Sequence, residues 1–376
     1  MNMINGYVYE MVEFSGSDGG LAIYAEDLLE SINECGLPSI YHSSKTTRNG
    51  KPLPPFIEVT NAFSYMKSSN SVYKKFFFFI TGLVKVIFRA EKRKRIINFH
   101  LFDYKWANMF TIFCLKFVSY KLVVTIHDAE AFRDSDAVSG QRNRLKIVSK
   151  LSNVIMVHSS VAFEELILNG VDPLKLIKLP MRMPKKSTFK SKFKQKFNDG
   201  YKFLIIGSLK RSKNIEVAIK AFKMVVDKFP NSKLKIVGFD IDGISDELNS
   251  LSESLGLSEY LVVENVFLSD REFDEEMRSS NCIILPYSKI YQSHVLLQAI
   301  SRSIPVITSN LKGFRDTLGE YGNYFSPGCS TELSKKIMDV VKNYDQYVNR
   351  SVDLKARMDS SDNESSYYIK FIELIL

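Results

Sequence analysis

A short basic loop between an apolar run and a helical pattern offers the clearest chemistry in this chain of 376 residues. The run Phe203–Ile206 ends in Gly207, and the cations Lys210, Arg211 and Lys213 follow it. A helical pattern begins directly afterwards, so backbone amides and positive side chains share one turn. Such turns bind phosphate groups. An ordinary solvated turn is the open alternative.

A second candidate anion site follows the apolar run that ends at Pro286. A helical pattern begins near Ser293, whose hydroxyl can cap the first amides of that helix. The remaining amides at the helix start would then face a ligand. The alternative here is an ordinary connection between a strand and a helix.

Two segments in the first half of the chain also carry candidate functional residues. His127 and Asp128 directly follow an apolar run, and a residue just past the carboxyl end of a strand is well placed for a ligand. The histidine could equally be a structural cap. Gly19 and Gly20 end a Gly/Ser-rich loop, which allows close backbone approach but is also found in simple turns.

The elements that must position these residues form two similar series. Strand and helix patterns alternate through residues 1–180 and resume over 201–345, with an irregular, lysine-rich stretch at 181–200 between them. Repeated strand–helix units predict parallel sheets covered on both faces. We therefore expect an α/β protein with two Rossmann-like domains facing across a cleft and joined by a linker. A helix over 346–376 closes the chain and could cross back to the first domain.

The composition is that of a globular protein, with 45% hydrophobic and 25% charged residues. Four widely spaced cysteines have no metal-ligand spacing and predict free thiols in a reducing cytosol. The N-terminus lacks the basic and apolar segments of a secretory signal, and no apolar run is long enough to span a membrane. The acidic pairs Asp240/Asp242 and Asp134/Asp136 are interpreted as solvated turns, so we expect no metal site.

The net charge of +9 is concentrated in two segments. Residues 74–95 carry eight basic side chains against one acidic, and residues 181–200 carry seven against one. Basic side chains beside the aromatic residues of 72–95 suit the surface of an anionic membrane. A core helix with a solvated end is the alternative for the phenylalanines. Nucleic-acid binding is disfavoured because no recognition motif is present.

The chain resembles family 4 glycosyltransferases of the GT-B fold, of the type that builds bacterial polysaccharides and O-antigens. Gly19 and Gly20 resemble the glycine loop of that family, which reaches toward donor and acceptor. Residues 124–128 resemble the strand whose histidine contacts the donor sugar. Residues 153–160 resemble the strand before the interdomain turn.

The basic loop resembles the diphosphate loop of the family, in which an arginine and a lysine grip the nucleotide phosphates. Lys213 falls on the lysine. Ser208 falls where many members have the arginine, so the resemblance leaves that role to Lys210 or Arg211.

The resemblance is weaker over residues 290–298. Most family members carry two glutamates there, one near the sugar and one on the ribose, and this chain has Ile290 and Gln298 instead. Residues 292–296 resemble a Gln-Ser-Gly-Val-Leu version of the loop, with His294 in place of glycine. Gln298 can still hydrogen-bond a ribose hydroxyl, whereas Ile290 cannot act as a carboxylate. A catalytically degenerate GT-B binding protein is therefore an alternative.

The resemblance implies retaining, metal-independent transfer of a hexosyl group from a nucleotide sugar, without a cofactor. The acceptor would be a hydroxyl of a growing, lipid-linked glycan in cell-surface polysaccharide synthesis. The protein would be cytoplasmic and peripheral on the inner face of the cytoplasmic membrane, with residues 72–95 at the anionic surface and no nucleic-acid partner. The sequence leaves the nucleotide base, the sugar and the acceptor open.

Each candidate residue is assigned to one of three groups. The catalytic group is His127, Lys213 and Arg211. The donor-binding group is Gly207, Ser208, Lys210, Gly238, Ser293, His294, Val295 and Gln298. The acceptor group is Gly19, Gly20 and Asp128.

Overall fold

Two parallel sheets organise the chain, one in each of its two units. The first unit contains Met1–Arg182 and Asp362–Leu376, and the second contains Met183–Ser361. The computed structural model describes residues 4, 6–14, 19–43, 47–48, 51–52, 57–63, 71–127, 138–184, 200–360 and 363–376. The predicted linker is described only at its two ends, because its central residues lie outside these ranges.

The sheet of the first unit has seven parallel strands. The strands of this unit are β1 (Tyr7–Val12), β2 (Ser39–His42), β3 (Thr47–Arg48), β4 (Lys51–Pro52), β5 (Ile57–Thr60), β6 (Lys94–Leu101), β7 (Lys121–Ile126), β8 (Val154–Val157) and β9 (Leu176–Lys178). The sheet order is β5-β2-β1-β6-β7-β8-β9, whereas β3 and β4 form a separate antiparallel pair. The strand order reverses between β1 and β6, and doubly wound sheets bind ligands at such a switch point.

Helices connect the strands of this sheet. They are α1 (Gly19–Glu34), α2 (Val72–Ile87), α3 (Trp106–Val118), α4 (Val138–Leu151) and α5 (Ser160–Leu168). Leu28, Leu29 and Ile32 of α1 are spaced so that they share one helix face, and they are buried in the same cluster as Tyr9 and Met11 of β1. This packing fixes α1 against the sheet.

The second unit has a six-stranded parallel sheet. Its elements are β10 (Lys202–Ile206), α6 (Ile215–Val226), β11 (Lys233–Gly238), α7 (Ser245–Ser254), β12 (Leu261–Asn265), α8 (Asp270–Arg278), β13 (Cys282–Leu285), α9 (His294–Ser301), β14 (Val306–Ser309), α10 (Lys312–Leu318), β15 (Tyr324–Phe325), α11 (Ser330–Lys342) and α12 (Tyr344–Ser360). The order β12-β11-β10-β13-β14-β15 is the doubly wound order, with its switch point between β10 and β13.

The closing segment, predicted as one helix over 346–376, contains two helices. The first is α12 of the second unit, where Leu354 is buried in a hydrophobic cluster. The second is α13 (Asn363–Ile375), which belongs to the first unit. Phe371 and Ile372 of α13 are buried in the cluster that contains Tyr9 and Leu28. The two halves of the segment therefore bury their apolar faces in different cores.

The structure confirms the predicted fold class of two parallel α/β sheets. The long buried strands of both sheets were visible as apolar runs in the sequence. Three edge strands, β5, β9 and β15, were not predicted. They have only two to four residues, and such short strands leave no apolar run to recognise.

A buried ion pair ties three strands of the first sheet together. The carboxylate of Glu10 on β1 accepts two hydrogen bonds from Arg95 on β6, each 2.7 Å long. The same carboxylate lies 2.9 Å from Nε2 of His42 on β2. Burial raises the pKa of Glu10, but Arg95 and His42 outweigh it and hold that pKa below its ordinary value. The pair is therefore ionised in the folded core.

Candidate functional site

The loops after β10 and β13 meet at the switch point of the second sheet. Ser288 donates hydrogen bonds from its backbone amide and from its hydroxyl to the carbonyl oxygen of Ser212, both 3.0 Å long. The ammonium of Lys213 lies 5.5 Å from the ring centroid of Tyr287. The structure thus brings together the two segments that the sequence identified as candidate anion sites.

The glycine that follows β10 allows the main chain to pack tightly beneath this loop. Gly207 has φ of +98°, a left-handed conformation that favours glycine. A Cβ at Gly207 would lie 3.1 Å from Nζ of Lys213 and 3.5 Å from the Val295 side chain. Glycine at this position therefore leaves open space between the strand end, the lysine and α9.

Lys213 is the central cation of the loop. Its side chain is half-buried, and burial together with the neighbouring charge of Lys210 lowers its pKa to about 7. Near neutral pH the ammonium and amine forms of Lys213 coexist. A bound anion would favour the ammonium form, because a nearby opposite charge stabilises it. Asn214 adopts the left-handed conformation at the junction between the 3-10 turn of Lys213 and α6, which lets α6 start immediately.

Arg211 makes its contacts on the outer side of the loop. Its guanidinium donates hydrogen bonds of 2.9 and 2.6 Å to the carboxylate of Glu247, and its backbone amide donates to Asp242 at 2.9 Å. Lys210 lies close enough to Lys213 to lower its pKa. Within the described part of the chain, Lys210 forms no ion pair. Of the two candidates for the arginine role, Lys210 therefore has its charge free beside Lys213.

The acidic residues after β11 have structural partners. Asp240 accepts a hydrogen bond of 2.7 Å from the backbone amide of Ser245, and Asp242 accepts the Arg211 amide. These contacts agree with the interpretation of a polar turn. Across the described residues, no group of three or more His, Cys, Asp or Glu side chains could hold a metal ion. Asp134 and Asp136 lie outside those residues.

Ser293 caps the start of α9, as its position in the sequence predicts. Its Oγ accepts a hydrogen bond of 3.2 Å from the backbone amide of Leu296. The cap fixes the N-terminal end of α9 beside Gly207, and the side chain of Val295 lies next to that glycine. The amide-rich end of the helix and the cations of the basic loop are therefore parts of one site within the second unit.

Gln298 is buried, and both ends of its amide are engaged. Its Nε2 lies 3.0 Å from Nε2 of His294, and its Oε1 accepts a hydrogen bond from Arg302. Arg302 also donates bonds of 2.8 and 2.6 Å to Asp274. Burial lowers the pKa of Arg302, although Asp274 opposes the effect. Sequence reasoning missed Asp274 and Arg302, and the assignment of Gln298 to a ribose hydroxyl remains a prediction.

The first unit has a separate polar cluster at the carboxyl ends of its strands. His127 follows β7, and its ring stacks on Phe102 with centroids 4.8 Å apart and planes 7° from parallel. Its Nε2 lies 3.3 Å from Nδ1 of His100 on β6. His158 follows β8, and its ring centroid lies 5.2 Å from that of His127. The ring of Tyr24 on α1 packs against all three histidines.

The three histidines are neutral at physiological pH. Burial lowers the pKa of His100 to about 3 and that of His158 to about 4. Burial and the two neighbouring histidines lower the pKa of His127 well below its ordinary value. Sequence reasoning found only His127. The other two could have been found from their shared position, because all three histidines lie at the carboxyl ends of the adjacent strands β6, β7 and β8.

The predicted acceptor residues are only partly described. Gly19 and Gly20 are the first two residues of α1. Asp128 and the loop that precedes Gly19 lie outside the described residues. Their assignment to an acceptor site remains a prediction.

The fold is that of a GT-B protein. The structure is similar to that of Anabaena HepE in complex with UDP and glucose, with a TM-score of 0.70 over 97% of this chain and 98% of that chain. The sequence identity is 15%, so this likeness concerns the fold alone.

The sequence of the second unit is also similar to those of known proteins. Residues 187–357, which include the whole of the site at the switch point, match the family of glycosyl transferases group 1. An uncharacterized glycosyltransferase of Methanocaldococcus jannaschii is 30% identical over 119 residues, which are 30% of this chain and 27% of the relative.

A second relative has a named role. The capsular polysaccharide biosynthesis glycosyltransferase CapM of Staphylococcus aureus is 28% identical over 151 residues, which are 38% of this chain and 37% of CapM. The chain thus matches well under two thirds of the length of these curated relatives.

Proposed function

We propose that the protein is a glycosyltransferase that uses a nucleotide sugar as donor. The observation that carries this proposal is the site where the Gly207–Lys213 loop meets the Ser293-capped start of α9. Half-buried Lys213, the unpaired charge of Lys210 and the helix amides are the groups that a diphosphate needs. The match to group 1 glycosyl transferases and the UDP complex of HepE support the same donor class.

The proposed reaction depends on positioning and charge rather than on a protein nucleophile. The diphosphate leaving group gains negative charge as its bond to the sugar breaks, and Lys213, Lys210 and the α9 amides stabilise that charge. His127 binds a hydroxyl of the sugar. Transfer is retaining, needs no metal and moves a hexose. The resemblance to family 4 supports these finer points.

The donor site is tested by ligand binding and turnover together. Thermal unfolding is measured with UDP-, GDP- and ADP-sugars, and hydrolysis or transfer is measured with each donor that raises the unfolding temperature. We expect one donor class to stabilise the protein and Lys213→Met to weaken its binding at least tenfold. Lys223→Met is the matched control, because Lys223 is a partly exposed residue of α6 paired with Asp227. Failure of every donor to bind would contradict the proposal, and binding without turnover would favour a degenerate binding protein.

We also propose that the acceptor is a lipid-linked glycan of cell-surface polysaccharide synthesis and that the protein works at the inner face of the cytoplasmic membrane. The named role of CapM supports the polysaccharide context. No described helix is long and apolar enough to cross a bilayer. We propose that attachment occurs through a surface of the first unit.

That surface is formed by α2 and α3, and we call it the two-helix aromatic surface. On α2, Tyr73 is 88% exposed and Phe77 is 61% exposed, whereas Phe79 is buried in the core. On α3, Trp106 is 61% exposed and Phe117 is 73% exposed. Phe79 therefore fits the alternative of a core helix, whereas the exposure of Tyr73 and Phe77 supports the proposed membrane surface. The membrane hypothesis drawn from the sequence did not include the aromatic residues of α3, which extend the exposed area.

The charge of the two-helix aromatic surface suits an anionic bilayer. Lys74, Lys75 and Lys85 are exposed on α2. Phe76 of α2 and Trp106 of α3 lie with ring centroids 6.1 Å apart, so the two helices form one continuous area. Aromatic rings insert at the interface while lysines bind anionic headgroups.

Sedimentation with vesicles tests this attachment. We expect salt-sensitive binding to vesicles that contain phosphatidylglycerol and little binding to pure phosphatidylcholine. The double variant Phe77→Ser, Phe117→Ser should reduce binding at least tenfold. Leu174→Ser is the control, since Leu174 is 92% exposed and lies outside α2 and α3. Equal binding by the double variant and the control would contradict the proposed surface.

A further inference from the structure

We propose that Asn98 and His100 are positioning residues that hold neutral His127 in the tautomer with its proton on Nδ1. The proposal concerns a new role for two residues that no motif assigned. Its consequence for catalysis depends on the proposed function, in which His127 binds a sugar hydroxyl. The tautomer itself is a property of the protein without any ligand.

The orientation of the Asn98 amide is the first link in the chain. Thr125 Oγ1 lies 2.8 Å from Asn98 Oδ1 and donates to it. The amide nitrogen is on the opposite side, 2.7 Å from the hydroxyl of Tyr9 and 3.4 Å from Nε2 of His100. An amide nitrogen can only donate, so Nε2 of His100 must accept.

The protonation of His100 follows from that contact. A neutral imidazole carries one proton, so His100 must have it on Nδ1. A carboxylate oxygen of Glu13 lies 3.9 Å from this nitrogen, and its negative charge also favours a proton there. His100 is 2% exposed, which leaves no solvent to exchange these roles.

The last link reaches His127. Nδ1 of His100 lies 3.3 Å from Nε2 of His127, so the proton of His100 makes that nitrogen an acceptor. The proton of neutral His127 is then on Nδ1. His127 is only half-buried, whereas His100 and Asn98 are buried, so the chain of hydrogen bonds runs from the core to a ring that reaches the surface.

The fixed tautomer defines what His127 can do. Stacking on Phe102 holds the plane of the ring, and the hydrogen-bond chain fixes which nitrogen donates. Nδ1–H can donate to a sugar oxygen, but it cannot accept a proton as a base. The depressed pKa of His127 keeps the ring neutral. The tautomer therefore decides which nitrogen can donate a hydrogen bond to the sugar.

Nitrogen NMR of the protein labelled with 15N-histidine tests these hydrogen bonds directly, because the two neutral tautomers give different spectra. The chain has five histidines, and His127 is assigned by comparing the spectrum with that of His127→Asn. At a pH near 7.5 we expect the proton of His127 on Nδ1. A proton on Nε2, or an equal mixture, would overturn the proposal.

Substitution of Asn98 gives the sharper result. In Asn98→Asp the carboxylate can only accept, so His100 should carry its proton on Nε2 and His127 should change to the Nε2–H tautomer. Transfer should fall about tenfold or more, as expected for one lost hydrogen bond to the ligand. An unchanged tautomer in folded Asn98→Asp would contradict the proposal.

Two further variants keep the test decisive where Asn98→Asp does not fold. His100→Gln can still donate to Nε2 of His127 and should retain the wild-type tautomer, whereas His100→Leu should give a mixture. His158→Gln should leave the tautomer of His127 unchanged, because His158 is not part of these hydrogen bonds and donates from Nδ1 to the carbonyl of Leu179. A correct tautomer in a protein that transfers no sugar would refute the proposed function while leaving the positioning role intact.

Discussion

The main chains of Gly207 and Gly238 approach so closely that a Cβ at Gly238 would lie 2.0 Å from the carbonyl oxygen of Gly207. This contact joins the carboxyl ends of β10 and β11 directly below the basic loop. Gly207 also donates its backbone amide to the carbonyl of Val237, 3.0 Å away. The shape of the loop therefore depends on the absence of a side chain at Gly238.

Gly238→Ala should move the basic loop and destabilise the second unit. The obstacle is backbone rather than a flexible side chain, so relief requires a main-chain shift that costs about 1–3 kcal/mol. Donor binding should be lost at temperatures where the protein remains folded, because the shift displaces Gly207 and Lys213. Urea unfolding and donor-induced thermal shifts measure the two effects.

Gly243→Ala is the control for that substitution. Gly243 has φ of +68° and nothing within 4 Å of an added Cβ, so it should show only the strain of a left-handed residue, roughly 1 kcal/mol. Its donor affinity should be unchanged. If Gly238→Ala binds donor as well as this control, the close approach has no part in shaping the site.

The pKa of Lys213 should make donor affinity depend on pH. Burial and Lys210 lower that pKa to about 7, and only the protonated lysine attracts the diphosphate. Affinity for a nucleotide sugar should therefore be highest below pH ~7 and fall by up to about tenfold per unit above it, as one proton must be taken up on binding. Isothermal titration across this range measures the slope.

Lys213→Arg separates this effect from other titrating groups. Arginine stays protonated over the whole range, so the slope should disappear while appreciable affinity remains. Lys213→Met should bind weakly at every pH. An unchanged slope in Lys213→Arg would mean that another group takes up the proton.

Arg302 should support both the stability of the second unit and the position of Gln298. Replacement by methionine leaves the buried carboxylate of Asp274 with fewer partners and removes the donor to Gln298 Oε1. Loss of one member of a buried ion pair costs about 3 kcal/mol. Donor affinity should also weaken, because Gln298 and His294 lie in the helix that forms one wall of the site.

Arg278→Met is the matched control for Arg302→Met. Arg278 contacts the other oxygen of Asp274 at 2.7 Å but donates to Asp274 from a more exposed side chain. Its loss should reduce the free energy of unfolding less than the loss of Arg302 does. Equal effects on donor affinity from both substitutions would show that Asp274 alone, rather than Gln298, connects this network to the site.

The sequence was sufficient for the long strands of both sheets and for the positions of the two candidate anion-binding segments, because both depend on local patterns. Apolar runs marked the long strands, and strand–loop–helix order placed Lys213 and Ser293 at carboxyl ends. The sequence could not show which side chains pair over long separations. Glu247 binds Arg211 from a helix that begins more than 30 residues later, and Asp274 binds Arg302, which also donates to Gln298.

The histidine cluster shows the same limit in the first unit. His100, His127 and His158 are separated by intervening helices in the sequence and become neighbours only because β6, β7 and β8 are adjacent and parallel. When each histidine is considered alone, only His127 gives a signal, because it directly follows an apolar run. The strand order had to be known before the three positions could be compared.

Acid should destabilise the first unit through Glu10. Arg95 and His42 hold the folded-state pKa of Glu10 below its ordinary value despite burial. Its contribution to stability is therefore present above the unfolded pKa of about 4.3 and is lost as pH falls through the lower folded pKa. The free energy of unfolding, measured by urea denaturation from about pH 7 to pH 3, should decrease over the acid part of this range.

Glu10→Gln should lower stability near pH 7 by about 3 kcal/mol, because Arg95 remains buried without its counter-charge. The same variant should lose less stability on acidification than the wild-type protein, since the group whose protonation weakens the fold is absent. Glu259→Gln, which alters an exposed carboxylate, should retain the wild-type pH dependence. If Glu10→Gln and Glu259→Gln show the same acid dependence, other carboxylates determine the acid sensitivity and the buried pair with Arg95 does not.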